Sequence, residues 1–427
     1  MIIVRLLASL LALLLVAAQV QAGEGADLTR RHFEAGTLAQ GEQALSARLA
    51  ANPADEEARF GLGMISFGRA LERFGQHHYR YGLEPLGQRG FPFLRMPVPP
   101  NPNAEVLTYE AQRAALQTLI DDLAAVESAL SGMGESEVKL VLDMEKIRLD
   151  LTGVGSSAGA IPLLALLRSV SFLQVPGGET APGADPATPP GSSAPAPAFE
   201  VAFDRADMLW LRGYCRLLSA SLEFILAYDW RDTFARAAGP FYPKLRQDGT
   251  IDDTGLDDLI GMGGSAALIA DTVAMVHEIR WRPVEPARLK RARDDLKEVT
   301  RLSRASWLSI LAETDDDREW IPSPRQTQGV FPSMSITEQR VGIWLAALGD
   351  FDAVLDGAKL LPHWRLEKGI NLRRVFEEPR PLDLVLWLTG HAAAPYMEDG
   401  PVISAESWRL WQQVFEGDFL LFAVYFN

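Results

Sequence analysis

Apolar side chains recur at helical spacing in several parts of the chain. Leu116, Leu119, Leu123, Val126 and Leu130 are separated by alternating steps of three and four residues. Because an α-helix completes a turn in about 3.6 residues, these steps place all five side chains on one face. Hydrophobic residues make up 48% of the chain, enough to build a core against such faces. The sequence therefore predicts a mainly α-helical fold.

Two further runs begin with signals for a helix start. Pro286 precedes a run that includes Leu289, and proline is favoured in the first turn of a helix. Ser335 and Glu338 have the spacing of a capping box, in which the two side chains bond the first free backbone amides. We expect a helix to begin at each of these places.

Residues 138–151 break the helical pattern. Apolar residues occupy every second position from Val138 to Met144, and they do so again from Ile147 to Leu151. Alternation with a period of two is typical of a strand, so we predict a short β-hairpin over 138–151. A helix is the alternative, because the same run contains Leu, Met, Lys and Glu.

The stretch from Val175 to Ala198 consists mainly of Pro, Gly, Ala and Ser. Such a composition offers little to bury, so it indicates a flexible loop over 175–200. A second proline-rich stretch lies between residues 83 and 103. The chain then divides into the segments 1–22, 23–82, 83–174, 175–200 and 201–427.

The first 22 residues have the composition of a secretory signal peptide. Arg5 is followed by an apolar run from Leu6 to Ala18, and small residues stand at Val20 and Ala22. A positive charge, a short apolar core and a small-x-small end are the marks of such a signal. We expect cleavage after Ala22 and a soluble protein that is periplasmic or secreted, with no membrane span.

Charge and cysteine content exclude several classes of protein. The formal net charge is −15, which argues against a nucleic-acid binder because phosphate affinity needs a basic surface. The single cysteine, Cys215, excludes an intrachain disulfide and any multi-cysteine metal site. Cys215 lies in a helix-like run with no histidine nearby, so we expect a buried apolar side chain rather than a nucleophile.

Residues 28–67 follow a two-helix pattern of large and small residues. Asn52-Pro53 ends one helix, and Ala58, Phe60 and Gly63 follow in the next. The first helix and the turn before it supply the corresponding leucines and glycines, at Leu28, Gly36, Gly41, Leu45 and Leu49. In these positions the segment resembles the tetratricopeptide repeat over about one and a half units, although Arg59 replaces a large apolar residue.

The resemblance to the tetratricopeptide repeat implies a helical hairpin packed on a larger helical body, with 23–82 as the repeat-like part. A single unit cannot bury its own apolar face, so it must pack on the other helices. Members of the family commonly bind peptides or proteins in a concave groove. The resemblance therefore implies a protein or peptide partner.

Asp150 opens a segment that looks like an incomplete calcium loop. Calcium loops place oxygen ligands at positions one, three and five and glycine at position six. Asp150 and Thr152 fit positions one and three, and Gly155 fits position six. Val154 and Ile161 replace the carboxylates expected at positions five and twelve, so the loop lacks ligands of its own.

Asp204 and Asp207, beyond the 175–200 loop, are candidates for the missing oxygens. If that loop folds back, Asp150, Asp204 and Asp207 would form a structural calcium site. The alternative is that Asp204 and Asp207 open a helix, where they would cap it and complement its dipole.

No catalytic arrangement is visible, so the sequence leans away from an enzyme. The six histidines include no pair with metal-ligand spacing, and no nucleophile elbow is present. His78, Arg80 and Tyr81 form a polar and aromatic cluster of the kind that lines grooves, or an ordinary helix end. All ten tryptophans lie after residue 200, where they could line a cleft or, as we favour for most, form core.

The first hypothesis is a periplasmic or secreted helical binding or scaffold protein with a tetratricopeptide-like unit. The second is a calcium-binding protein that uses Asp150 with Asp204 and Asp207. The third is a hydrolase of cell-wall or glycan substrates, which would use paired carboxylates. The third rests on compartment and tryptophan content, since no carboxylate pair has an interpretable spacing.

Overall fold

The computed structural model describes residues 23–84, 96, 98–134, 138–155, 160–164, 199–239, 241–245, 273–274, 276–330, 336–414 and 427. Helices dominate these residues, and the strands form small antiparallel sheets, so the predicted mainly α class is confirmed. The predicted signal peptide and nearly all of the predicted 175–200 loop lie outside the described residues.

The helices are numbered in chain order. They are α1 (Glu24–Ala35), α2 (Leu38–Ala51), α3 (Glu56–Arg80), α4 (Tyr109–Ser131), α5 (Arg205–Leu226), α6 (Arg231–Ala237), α7 (Ala287–Ala312), α8 (Glu338–Leu355), α9 (Leu372–Glu377), α10 (Leu384–Leu388) and α11 (Ala405–Val414). The long helices pack side by side and antiparallel, α3 on α4, α4 on α5 and α5 on α7. Among the described helices none is long and apolar enough to cross a membrane.

Helix starts follow local capping chemistry. The Thr108 hydroxyl accepts a hydrogen bond from Ala111 N and starts α4, which covers the predicted Leu116–Leu130 face. Helix α7 begins directly after Pro286, as expected. Helix α8 begins after Thr337, whose hydroxyl accepts a hydrogen bond from Arg340 N at 3.2 Å. The predicted cap, Ser335, lies outside the described residues, and Thr337 fills that role.

The strands are short and pair with distant partners. They are β1 (Leu140–Asp143), β2 (Arg148–Leu149), β3 (Ile161–Pro162), β4 (Glu200–Phe203), β5 (Tyr228–Asp229), β6 (Arg280–Pro283), β7 (Leu361–His363), β8 (Leu366–Ile370), β9 (Leu382–Asp383) and β10 (Met397–Glu398). The pairs are β1 with β4, β2 with β3, β5 with β6, β6 with β9, β7 with β8, and β8 with β10.

The prediction of a β-hairpin over 138–151 is wrong in its pairing. Both strands are present, but β1 pairs with β4 and β2 pairs with β3, each antiparallel. A turn connects β1 to β2, but the two strands do not pair with each other. Alternation of apolar residues identifies a strand, but it does not identify the strand's partner.

One apolar cluster extends from Ala26 in α1 to Trp411 in α11. Cys215 is 1% exposed within it, which confirms the expected buried side chain. Trp307 and Trp344 are also buried, in agreement with a core role for most tryptophans, whereas Trp364 is 80% exposed. Residues 417–427 are rich in aromatic side chains, which predicts that this segment docks into the body, but all of it except Asn427 lies outside the described residues.

Helix α3 packs closely against α1 on one side and α4 on the other through glycines in its first half. A Cβ atom added at Gly61 would lie 1.9 Å from the Thr29 hydroxyl oxygen. One added at Gly63 would lie 2.2 Å from a methyl carbon of Leu130 in α4. These glycines let the helix backbones approach where any larger side chain would collide.

Candidate binding groove

A cavity of about 290 Å³ opens between α3 and α4, and we call it the α3–α4 groove. Its lining from α3 and the residue after it comprises Ala70, Arg73, Phe74, His77, Arg80 and Tyr81. Helix α4 contributes Ala111, Ala114, Ala115, Thr118, Leu119 and Asp122. Drug-sized ligands occupy pockets of roughly 300–1,000 Å³, so this groove suits one or two side chains of a larger partner.

Helical spacing explains why these residues share one groove. On α3, Arg73, His77 and Tyr81 are four residues apart, so they project from the same face. On α4, Ala111, Ala115 and the residues around them form a facing stripe of short side chains. Short side chains on one wall opposite long ones on the other leave the space open.

Two arginine–carboxylate pairs flank the groove. Arg73 donates from Nε and Nη2 to both oxygens of Asp122, each at 2.8 Å. Arg80 donates to both oxygens of Glu105 at 2.9 and 2.8 Å, and this guanidinium holds the pKa of Glu105 below its usual value. Bidentate pairs fix the guanidinium planes, and each arginine keeps further N–H donors beyond the two it uses.

His77 lies between the two arginine pairs. Burial lowers the pKa of His77, so the ring is neutral at pH 7, and its Nε2 lies 3.0 Å from Gln112 Oε1. The amide oxygen of Gln112 is an acceptor, which assigns the ring proton to Nε2. The Tyr81 ring meets the His77 ring edge-on, with centroids 4.9 Å apart. The groove thus has a fixed aromatic wall.

The three residues that the sequence groups together, His78, Arg80 and Tyr81, do not share one environment in the structure. Arg80 and Tyr81 line the groove, whereas His78 is fully buried away from solvent. His78 Nδ1 lies 2.6 Å from the Tyr242 hydroxyl, and burial lowers the pKa of His78 to about 3. Sequence analysis missed His77, although its spacing of four residues from Arg73 and Tyr81 would have identified it.

Asp150 is held by its own loop. Its Oδ1 accepts hydrogen bonds from Thr152 N, Thr152 Oγ1 and Gly153 N, and its Oδ2 accepts one from Gly155 N at 2.7 Å. Burial would raise the pKa of Asp150, but these bonds outweigh it and hold the pKa below the usual value. Gly153 and Gly155 have φ of 77° and 74°, the left-handed conformation that glycine tolerates.

Asp204 and Asp207 lie together at the start of α5, where they form the capping box that was the alternative prediction. Ala206 N donates to Asp204 Oδ1 at 2.7 Å, and Asp204 N donates to Asp207 Oδ2 at 3.1 Å. Asp150 takes no part in these contacts. In the part of the chain that the structure describes, no three His, Cys, Asp or Glu side chains are grouped to hold a metal ion.

A second cavity, of about 310 Å³, lies between α4, α5 and α7. Paired ionic side chains line it, among them Glu127, Arg216, Glu223 and Asp295. Because these charged side chains form ion pairs with one another across three helices, they hold the helices together and their charges are balanced within the protein. The α3–α4 groove is therefore the stronger candidate site.

Comparisons of this chain with protein-family models, with curated proteins and with solved structures find no match.

Proposed function

We propose that the protein is an exported helical binding or scaffold protein that holds a peptide segment of a partner in the α3–α4 groove. The observation that carries the proposal is the groove itself, an alanine-lined wall opposite Phe74, His77 and Tyr81. An apolar side chain of the partner would lie between these walls, where it loses contact with water.

The two arginine pairs support binding of a peptide in particular. Arg73 and Arg80 are seven residues apart, about two helical turns or roughly 10 Å along α3. Their remaining N–H donors would meet peptide carbonyl oxygens on either side of the bound side chain. Because each arginine is already neutralised by a carboxylate, the groove favours a neutral segment over a strongly acidic one.

The resemblance of residues 28–67 to the tetratricopeptide repeat supports the same class of function. In this proposal α1, α2 and α3 correspond to consecutive repeat helices, and α4 completes the second pair. In this proposal the partner would be periplasmic or extracellular, in keeping with the signal peptide predicted at residues 1–22.

A substitution that fills the groove tests the proposal. Peptides selected by the wild-type protein from a random displayed library would be measured by isothermal titration against Ala114→Trp and Ala125→Trp. Both alanines are exposed on α4, but only Ala114 lines the groove. We expect Ala114→Trp to weaken binding at least about tenfold and Ala125→Trp to leave it unchanged. Equal binding by both variants, or no selected peptide, would contradict the proposal.

A further inference from the structure

Four carboxylic side chains are brought together where α5 begins. Asp204 and Asp207 come from the start of α5, Glu313 directly follows α7, and Glu319 lies six residues later. Asp207 is 7% exposed and Glu319 is 2% exposed, so water cannot separate their charges. Each of these groups acts on the ionisation of others in the set.

The charges of the two glutamates are incompletely compensated, since Glu313 has a hydrogen bond with Gln326 but each glutamate also has one buried oxygen without a partner. Glu319 Oε1 and Glu313 Oε2 are buried with no hydrogen-bond partner. Lys139 faces the group, but its Nζ is bound to Asp315 at 2.8 Å and Asp317 at 2.6 Å, at the exposed rim. Buried carboxylates without a counter-ion cannot all be ionised, so some of them must carry protons.

The two glutamates belong to a segment that covers the body, residues 313–330, which we call the strap. Asp316 closes the strap on itself by accepting hydrogen bonds from Thr327 N and Oγ1, both at 2.6 Å. Ala202 N of β4 donates to Arg318 O at 3.0 Å. Strap residue Trp320 packs against Phe203 and Trp210, with ring centroids 6.3 and 5.5 Å away.

We propose that the strap is a proton-controlled cover, closed while Glu313 and Glu319 are protonated and lifted when they ionise, which uncovers the aromatic surface of Phe203 and Trp210. On loss of their protons, both glutamates would repel Asp204 and Asp207 beneath them and Asp315 and Asp317 beside them. Lys139 is the facing cation, and it is already shared by the two rim aspartates.

The pH range in which Glu313 and Glu319 ionise supports a strap that opens on loss of their protons. Burial, together with the nearby Asp204, raises the pKa of Glu313 and of Glu319 to about 8. Burial and Asp204 also raise the pKa of Asp207 well above its usual value. The closed strap therefore belongs to neutral and acidic solution, and the lifted strap to alkaline solution.

Hydrogen exchange measured by mass spectrometry tests whether the strap opens as the pH rises. Peptides spanning 313–330 would be followed from pH 6.5 to pH 9.5 in the full chain, with correction for base-catalysed intrinsic exchange. We expect wild-type protection of the strap to fall by about tenfold per pH unit for each proton released as the pH rises from 6.5 to 8, and to level off above pH 8, where the glutamates are ionised in both states. The double variant Glu313→Gln/Glu319→Gln should keep its protection throughout, because neither amide ionises.

Glu110→Gln is the matched control, since Glu110 lies in an exposed ion pair with Arg231 and should leave the transition unchanged. If the double variant does not fold, Glu319→Gln alone should make the transition shallower. Equal strap protection at pH 6.5 and 9.5 in the wild type would overturn the proposal. So would an unchanged transition in the folded glutamine variants.

Discussion

Single residues at helix crossings set how closely this chain can pack. Gly61 faces Thr29, which is fully buried and whose hydroxyl donates to Gly25 O at 2.8 Å. A methyl group at position 61 would collide with that hydroxyl oxygen, so the two helices would have to separate or Thr29 would have to lose its bond.

Gly61→Ala should lower the free energy of unfolding by about 1–3 kcal/mol through this overpacking. Gly342→Ala in α8 is the control, because nothing lies within 4 Å of the added methyl group there. Since alanine has the higher helix propensity, the control should gain up to about 1 kcal/mol. Urea denaturation compares the two, and equal effects would contradict the packing argument.

Substitution of Asp150 tests whether the hydrogen bonds to its carboxylate stabilise the loop over residues 150–155. Asp150→Ala removes the acceptor of four hydrogen bonds, so we expect a loss of about 2–4 kcal/mol of stability. The loss should be the same with calcium and with a chelator, because the loop's own donors already occupy the carboxylate. A thermal melt measures both, and a calcium-dependent shift in the wild type alone would favour the predicted calcium site.

Between elements, buried ion pairs join α5 to α7. Glu223 is 5% exposed and accepts hydrogen bonds from Arg288 and Arg291 at 2.9 to 3.1 Å. Without Glu223, the largely buried Arg288 would face the core with less compensation. Removing one partner of a buried pair is costly for this reason, even where the intact pair adds little net stability.

Glu223→Ala should therefore destabilise the protein by about 3–5 kcal/mol. The exposed pair of Glu110 with Arg231 provides a matched comparison, and Glu110→Ala should leave the denaturation midpoint unchanged. Chemical denaturation of both variants at the same ionic strength decides the matter. A small effect at Glu223 would mean that water reaches Arg288 once the carboxylate is gone.

Elements whose pattern is local were predictable from the sequence, and those that depend on distant partners were not. The spacing from Leu116 to Leu130 identifies α4, and the same reasoning identifies α7 and α8. The partner of β1 is β4, which begins 57 residues after β1 ends (200 − 143), so alternation in residues 138–151 could not reveal it. Local patterns fix an element's type, while packing fixes its neighbours.

The candidate site follows the same rule. The polar, aromatic run around Arg80 and Tyr81 was compatible with a groove lining or with an ordinary helix end, and the sequence did not decide between them. The alanine wall comes from α4, whose alanines had no distinguishing signal. Glu313 and Glu319 lie more than 100 residues from Asp204, so only the folded chain brings these carboxyl groups together.

At the scale of the whole molecule, His78 and the pair Glu313 and Glu319 change the free energy of unfolding in opposite directions as the pH changes. His78 has a pKa of about 3 when folded, below its usual value, so stability falls as pH drops from about 6.5 toward 3. Glu313 and Glu319 have pKa values of about 8 when folded, above their usual value. Their contribution is complete below about pH 4.5 and is lost as pH rises through 8.

The free energy of unfolding should therefore peak in mildly acidic solution, between about pH 4.5 and 6. Urea denaturation at intervals from pH 4 to pH 9 measures the profile. In Glu313→Gln/Glu319→Gln the decline between pH 5 and pH 8 should be flatter, while the fall on the acid side remains. A wild-type maximum above pH 8 would show that other groups dominate the linkage.

The turn between β1 and β2 has a consequence for engineering. Met144 N donates to Phe199 O and Leu163 N donates to Ile147 O, each at 2.9 Å. The described residues on either side of 165–198 are thus held at two points on a single turn. Closing a longer loop between fixed points costs only about 0.6 kcal/mol for each doubling of its length. A reporter domain whose own termini are adjacent could therefore be grafted between residues 165 and 198 without rebuilding the helices.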